Sequence, residues 1–332
     1  MVFGIWLGIL QRNIRAHPKL VVVNSHGPMG ASVLGALLEK IGVSGNMPLR
    51  EVGLTDYVFA PDLWRSGFME KKTLAQIKAL DEGTRIGGIH VRSRKNLPLE
   101  KRAAIERVAA DISELAEVEL PDLADRYFRC KQTMAKSLIY KKADGPAEWH
   151  IEFATDLLGY DGAKLAEKFD HYFSGVRFIT LERDFEDWIG SMALQAYRKQ
   201  KLQKRWGFFS PVGLAQRYHA YAKTAAELPG LKIEFEDLLA DPERVLKNTA
   251  DFLGIQTEIP DLKSENFDVW SKSLSFEETF TPYDKANPLL SKSTRKFCRK
   301  ILEKVGHRQP VAERVGKIMF MKDAALWALK KS

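Results

Sequence analysis

The chain has 332 residues, of which 45% are hydrophobic and 28% charged, so it can bury a large core. Two cysteines, Cys130 and Cys298, exclude a disulfide framework and a cysteine-based metal site, and we expect a reducing, cytoplasmic location. The net charge of +8 favours acidic partners, but nucleic acid is not expected, because no zinc-finger spacing and no basic run interleaved with aromatic residues occurs.

A strand, a loop and a helix are predicted within Lys19–Gly42, KLVVVNSHGPMGASVLGALLEKIG. Leu20–Val23 predicts a buried strand, and the small, glycine-containing stretch Asn24–Ser32 predicts a tight loop. From Ala31 onward apolar residues recur at helical spacing. This arrangement directs backbone N–H groups toward one point and suits an anion such as a phosphate. A plain turn in a parallel sheet is the alternative, since the Walker lysine is missing.

Residues 43–145 contain a long aromatic-bearing connection and then helices, which we interpret as a loop and helical insertion. Beyond it, strands alternate with helices. The predicted strands are Trp149–Phe153, Val176–Leu181 and Leu231–Phe235, and the predicted helices are Asp161–Phe173, Phe185–Lys204, Pro211–Leu228 and Pro242–Gly254. This alternation predicts an α/β fold in which a parallel sheet is flanked by helices, with residues 1–332 as one domain.

The end of the chain, residues 308–332, predicts a basic amphipathic helix with large apolar residues among lysines. We expect this helix to pack against its own domain. Peripheral contact with a membrane surface is the alternative.

Ligands of open parallel sheets bind beyond the carboxyl ends of the strands, where the loop Asn24–Ser32 would lie. Arg183 follows the strand Val176–Leu181, and Ser191 lies in the next predicted helix. A guanidinium and a hydroxyl suit a phosphate. The alternative for Arg183 is a salt bridge to a neighbouring carboxylate, which could be Glu182, Asp184 or Asp187.

Three stretches, in this order, resemble the sulfotransferase superfamily: HGPMGASVLGALLEKIG, VRFITLERDFEDWIGSM and IEFEDLLADPERVLKNTADFLGI. They are similar to the family's 5′-phosphosulfate loop, its 3′-phosphate motif and its Tyr-Glu-Asp-Leu segment. The resemblance implies a P-loop-NTPase-like three-layer fold and a sulfuryl donor, 3′-phosphoadenosine 5′-phosphosulfate (PAPS), with no metal. It implies transfer to a hydroxyl or amine of a carbohydrate or other acceptor, releasing adenosine 3′,5′-bisphosphate. Residues 43–145 would then shape the acceptor pocket.

Carried over by position, the resemblance implies that Arg183 and Ser191 hold the 3′-phosphate of the donor. The loop residues implied at its 5′ end are Gly27, Pro28, Met29, Gly30, Ala31 and Ser32. Pro28, Met29 and Ala31 stand where the family has a basic residue, Ser and Thr. That cation would neutralise the leaving phosphate oxygen, so the alternative is a non-catalytic relative that binds a nucleotide or a sulfated glycan.

The catalytic candidates are two predicted bases and one cation. A base must take the proton of the acceptor, and Glu152 and His150 share one side of the predicted strand Trp149–Phe153. His26 lies two residues before Pro28 and is the candidate to replace the missing cation. For each of the three, the alternative is a polar group that neighbouring residues satisfy.

Overall fold

The computed structural model describes ten segments of the chain: residues 19–45, 85–86, 89–90, 149–154, 161–172, 175–198, 209–269, 272–281, 289–305 and 310–330. Most of the predicted insertion 43–145 lies outside them, as do residues 199–204 of a predicted helix. The chain divides into two compact units, which are residues 1–21, 42–152 and 166–177, and residues 22–41, 153–165 and 178–332.

The strands are short and mostly apolar. They are β1 Lys19–Asn24, β2 Ser44–Gly45, β3 Arg85–Ile86, β4 Ile89–His90, β5 Trp149–Ala154, β6 Val176–Glu182, β7 Leu231–Glu234, β8 Phe267–Val269 and β9 Lys272–Leu274. Five of them form one sheet in the order β2-β5-β1-β6-β7, while β3–β4 and β8–β9 form separate two-stranded pairs. In the main sheet β2 pairs in parallel with β5, and β6 with β7, where Ile179 lies opposite Leu231.

Helices connect these strands along the chain. They are α1 Ala31–Leu38, α2 Gly162–Tyr172, α3 Phe185–Arg198, α4 Pro211–Glu227, α5 Phe235–Ala240, α6 Pro242–Leu253, α7 Phe276–Phe280, α8 Lys292–Leu302 and α9 Pro310–Leu329. The predicted α/β class, a parallel sheet flanked by helices, is therefore confirmed. Short 3₁₀ turns follow α1 at Glu39–Ile41 and precede β8 at Leu262–Ser264.

The apolar runs of the sequence form the centre of the sheet. The four residues Leu20–Val23 of β1 are each 0% exposed. In β6, Val176, Phe178, Ile179 and Leu181 are also buried. Strands covered on both faces are near-continuously hydrophobic, which is the pattern that predicted them.

Some element boundaries differ from the predicted ones. The predicted strand Leu231–Phe235 ends one residue earlier, since Phe235 begins α5. The predicted loop and helical insertion 43–145 also contains the antiparallel pair β3–β4. Helix α6 lies within the predicted bounds and is capped at both ends. Asp241 accepts a hydrogen bond from the Arg244 N–H at 3.1 Å, and Gly254 ends the helix with a positive φ of 70°.

One face of the C-terminal helix α9 packs within the second unit. Phe320 is 0% exposed, and the Asp323 carboxylate accepts a hydrogen bond from the Ser291 N–H at 2.8 Å. A Cβ atom at Gly316 would lie 2.5 Å from Cγ of Pro211, the first residue of α4, so α9 and α4 touch there. Among the residues that the structure describes, no helix combines the length and the apolarity needed to cross a bilayer.

Candidate functional site

The loop between β1 and α1 turns on two glycines with left-handed backbone, Gly27 at φ 65° and Gly30 at φ 89°. The Met29 N–H donates to the Gly27 carbonyl at 2.9 Å, and the Ser25 N–H donates to the Ala154 carbonyl at 3.1 Å. A residue with a side chain rarely adopts these φ angles, so the glycines permit the tight path of the loop.

The N-terminus of α1 carries no negative group of its own. Its N-cap is Gly30, which has no capping side chain, and its first turn contains no acidic residue. The first N–H groups of a helix have no partner within the helix, and the helix dipole places partial positive charge there. Gly27, Pro28 and Gly30 are half-buried. This end of α1 therefore suits an anion.

Other parts of the second unit pack tightly against the loop. A Cβ at Gly30 would lie 2.7 Å from Phe235 Cδ2, and one at Gly27 would lie 2.6 Å from Met192 Sδ. Met29 is 0% exposed, and its sulfur accepts the His26 N–H at 3.4 Å. The side chain at position 29 is thus part of the core.

Arg183 connects the three stretches that carry the family resemblance. Its Nη1 donates to the Pro28 carbonyl at 2.6 Å, which ties it to the first stretch. Its guanidinium carbon lies 4.2 Å from the centre of the Phe235 ring, which belongs to the third stretch. The side chain is only 5% exposed. A buried cation therefore lies beside the loop, and a guanidinium is a side chain that suits a phosphate.

The three carboxylates named above as alternative partners of Arg183 each pair with another cation. Glu182 pairs with Lys232 at 3.5 Å, Asp184 with Arg299 at 2.5 Å and Asp187 with Arg295 at 2.9 Å. Both arginines come from α8, and Arg299 also donates to Glu186 at 2.9 Å. Arg295 and Arg299 were not among the residues predicted from the sequence. Their four-residue spacing, which puts both on one helix face, was the available signal.

Two tyrosines and a tryptophan hold the strand ends in place. The Tyr221 hydroxyl lies 3.1 Å from the Asn24 carbonyl and 2.5 Å from the Leu181 carbonyl, so the ends of β1 and β6 lie side by side. The Tyr218 hydroxyl donates to the Arg183 carbonyl at 2.6 Å, and Trp188 Nε1 donates to the His26 carbonyl at 2.6 Å. None of these three side chains was predicted from the sequence.

Burial keeps both tyrosine hydroxyls protonated. It raises the pKa of Tyr218 to about 12, with a further rise from the nearby Asp184 carboxylate. Burial also raises the pKa of Tyr221 far above its usual range, and Glu182 adds to that rise. Both groups therefore remain hydrogen-bond donors to the strand ends at physiological pH.

The remaining predicted residues have different surroundings. The His26 ring is 2% exposed, with its centre 5.5 Å from the Trp188 ring and 6.1 Å from the Tyr221 ring. Ser191 is 8% exposed within α3, and Ala31 and Ser32 are buried in the first turn of α1. Glu152 and His150 belong to β5 in the first unit, where Glu152 is 1% exposed.

A cavity of about 530 Å³ borders Arg183 at the carboxyl end of β6. Its described lining has four carboxylates and two cations, which are Glu182, Asp184, Glu234, Glu236, Arg183 and Lys232. Neither Ser191 nor a residue of the β1–α1 loop is among these lining residues. Within the described segments, no group of three or more His, Cys, Asp or Glu side chains is arranged to hold a metal ion.

Comparison with known proteins gives likenesses at low identity. No protein-family model and no curated protein matches the chain. One similar solved structure is the sulfotransferase domain from the Synechococcus PCC 7002 olefin synthase, at 14% identity and a TM-score of 0.46, covering 90% of this chain and 99% of that chain.

Two more solved structures are similar to the chain. The sulfotransferase domain from the curacin biosynthetic pathway has 14% identity and a TM-score of 0.38, with 89% of this chain and 99% of that chain covered. Sulfotransferase STF1 from Mycobacterium tuberculosis H37Rv has 13% identity and a TM-score of 0.35, with 91% of this chain and 80% of that chain covered. At such identities, residue roles in this chain have to come from its own geometry.

Proposed function

We propose that the chain transfers a sulfuryl group from PAPS to a hydroxyl or amine of a carbohydrate or other acceptor. The observation behind this proposal is the meeting of three separate stretches at Arg183. Its guanidinium donates to the loop at Pro28 and lies over the ring of Phe235. The order of these stretches matches the family pattern, and their contact supports a shared ligand.

The residues around the loop fit a donor with negative charge at both ends. The N-terminus of α1 has backbone N–H groups and no carboxylate in its first turn, so we assign it to the 5′-phosphosulfate. Arg183, with Ser191, is assigned to the 3′-phosphate. Buried at 5% exposure, Arg183 would attract an anion more strongly than an exposed arginine does, because water screens it less.

Sulfuryl transfer requires two roles of the protein, which are stabilisation of the leaving group and removal of the acceptor proton. A bond forms between the acceptor oxygen or nitrogen and sulfur, while the bond between sulfur and the phosphate oxygen breaks. Negative charge develops on that phosphate oxygen, where the N–H groups of α1 stabilise it. The acceptor proton goes to a base, for which Glu152 and His150 remain our proposals.

A second function is favoured by the composition of the loop. Pro28, Met29 and Ala31 supply no cation, and Met29 is fully buried. Without a positive side chain at the leaving oxygen, the site would bind a nucleotide or a sulfated glycan without turnover. This non-catalytic alternative predicts binding of adenosine 3′,5′-bisphosphate and no product.

The experiment measures two quantities on the purified chain: binding of adenosine 3′,5′-bisphosphate, and its release from PAPS in the presence of a panel of hydroxyl and amine acceptors. The proposed function predicts acceptor-dependent release that disappears in Arg183→Ala. Binding without release would assign the non-catalytic function. Neither binding nor release would contradict both.

The base is identified by the pH dependence of kcat in Glu152→Gln and His150→Gln. The variant that loses the catalytic base should lose activity across the whole pH range, whereas the other should keep the wild-type profile. Equal, small effects in both variants would exclude these two residues as the base.

A further inference from the structure

All exposed large hydrophobic side chains in the described part of the chain lie on one helix, α9. They are Val311, Val315, Ile318, Met321, Leu326 and Leu329. Three of them are strongly exposed, with Val311 at 72%, Ile318 at 70% and Leu329 at 71%. Single exposed apolar residues are normal on a protein surface, but a concentration on one helix marks an interaction site.

These six residues form a continuous stripe, called the apolar stripe below. Val311, Val315, Ile318 and Leu329 recur at steps that bring them to one side of an α-helix. With 20 residues, α9 is about 30 Å long, so the stripe runs along most of one side. The opposite side contains the buried residues Gly316, Phe320, Asp323 and Ala324.

The helix is fixed with this stripe outward. Gly316 packs directly against Pro211, and Asp323 accepts the N–H of Ser291 at the start of α8. Near the end of the helix, the Trp327 and Tyr197 rings meet edge to face at 5.5 Å. Packing along the inner side thus leaves the apolar stripe available to a partner.

The charges around the stripe are positive. Exposed basic residues on or next to α9 are Arg314, Lys317, Lys322 and Lys330. Lys322 lies within the stripe, four residues after Ile318 and four before Leu326. Of the two carboxylates of α9, Asp323 is buried and Glu313 is half-buried. The partner therefore has to be apolar and negatively charged.

We propose that the apolar stripe lies on an anionic phospholipid surface. The apolar side chains would enter the boundary between headgroups and acyl chains, while Arg314, Lys322 and Lys330 would contact lipid phosphates. Lys322 fits this position, because a lysine can cover apolar surface with its stem and extend its ammonium into the headgroups. A second copy of the chain fits less well, since pairing two stripes would bring Lys322 of both copies into an apolar interface.

The test is flotation of the purified full-length chain with vesicles of phosphatidylcholine alone or of phosphatidylcholine mixed with phosphatidylserine. We expect binding to the mixed vesicles that weakens at high salt. The triple variant Val311→Ser, Ile318→Ser, Leu329→Ser should lower the partition coefficient by on the order of a hundredfold. Its thermal unfolding should resemble that of the wild type, because these side chains are exposed.

A charge-matched pair of variants separates this surface from the general positive charge of the protein. The first double variant, on α9, is Arg314→Glu, Lys322→Glu. The second is Lys247→Glu, Lys263→Glu, at two exposed positions outside α9. Both change the net charge by the same amount. Only the first pair should weaken binding by tenfold or more, on the order expected for two basic groups. Equal weakening by both pairs would overturn the proposal.

Two further results would also overturn it. One is failure of the wild type to bind the mixed vesicles, or equal binding by the triple variant. The other is a lipid-free dimer that the triple variant abolishes, measured by light scattering, which would assign the stripe to a second copy of the chain.

Discussion

Two helix N-termini at the carboxyl ends of neighbouring strands have opposite electrostatics. Helix α1 follows β1 and begins at Gly30, with no capping side chain and no acidic residue in its first turn. Helix α3 follows β6, and Asp184 Oδ1 accepts the N–H groups of Glu186 at 2.7 Å and Asp187 at 3.3 Å. The ends of β1 and β6 both contact Tyr221, so the strand ends that lead to the two helices lie side by side.

The difference shows which of the two ends is available to an anion. At α3, three carboxylates already occupy the helix end, and Arg295 and Arg299 of α8 neutralise them. At α1, the corresponding negative charge is missing and Arg183 lies alongside. A strand–turn–helix unit is therefore not in itself an anion site. The residues in its first turn decide whether its positive end is already satisfied.

The largest effect is expected at Gly30. Gly30→Ala combines a left-handed φ of 89° with a Cβ 2.7 Å from Phe235, so it should lower the free energy of unfolding by about 3 kcal/mol. Gly42→Ala is the matched control, since Gly42 has a φ of 82° and nothing within 4 Å of its Cβ. We expect Gly42→Ala to lower the free energy of unfolding by only about 1 kcal/mol, with urea unfolding as the measurement for both variants. Equal losses would show that Phe235 does not press on the loop.

Removal of the buried cation is the next largest change. Arg183→Ala should weaken binding of adenosine 3′,5′-bisphosphate by about a hundredfold, because a charge-assisted contact to phosphate is lost. Arg177→Ala on the same strand is the control, since Arg177 is exposed and should leave the affinity unchanged. Isothermal titration measures both. Arg183→Lys keeps a positive charge and should restore part of the affinity, and a lack of rescue together with native stability would show that the charge itself does not hold the ligand.

A carboxylate placed in the first turn of α1 should make that end resemble α3. Val33 is the third residue of α1 and is half-buried. The corresponding position of α3 is Asp187, and Glu186 precedes it in the same first turn. Val33→Glu should reduce the affinity for adenosine 3′,5′-bisphosphate by about tenfold through repulsion. Val33→Gln, which has nearly the same shape, should have little effect. The same affinity in both variants would place the phosphate elsewhere.

The smallest effect concerns the satisfied end of α3. Asp184→Ala removes an N-cap and one of the two carboxylate partners of Arg299, and should lower the free energy of unfolding by about 1 kcal/mol. Asp184 and Arg299 are both well exposed, so their coupling in a double-mutant cycle should stay below about 1 kcal/mol. A coupling several times larger would mean that the ion pair, rather than the cap, holds this end together.

Local sequence features predicted much of the fold. The apolar runs at Leu20–Val23 and Val176–Leu181 specify buried strands, and Asp241, Pro242 and Gly254 mark the ends of α6, because capping depends on neighbouring residues. The pairing of Arg299 with Asp184 could not be predicted in this way. It joins residues far apart in the chain, and no local pattern relates them.

The candidate site was predictable in position but not in packing. The loop and Arg183 follow from the strand–loop–helix pattern and the strand exit, and both lie where parallel strands end. The Phe235 ring lies close to both Gly30 and the Arg183 guanidinium, and these contacts join residues far apart in the chain, so only the folded chain shows them. The burial of Met29 and His26 likewise depends on contacts with distant residues such as Trp188.

The most direct test of the proposed site is isothermal titration of the wild-type chain with adenosine 3′,5′-bisphosphate, with adenosine 5′-monophosphate as the comparison. Because the site is assigned two anion-binding groups, we expect the bisphosphate to bind at least tenfold more tightly, on the order of one charge-assisted contact. Equal affinity for the two nucleotides, or binding of neither, would contradict the assignment of Arg183 and α1 to the sulfuryl donor.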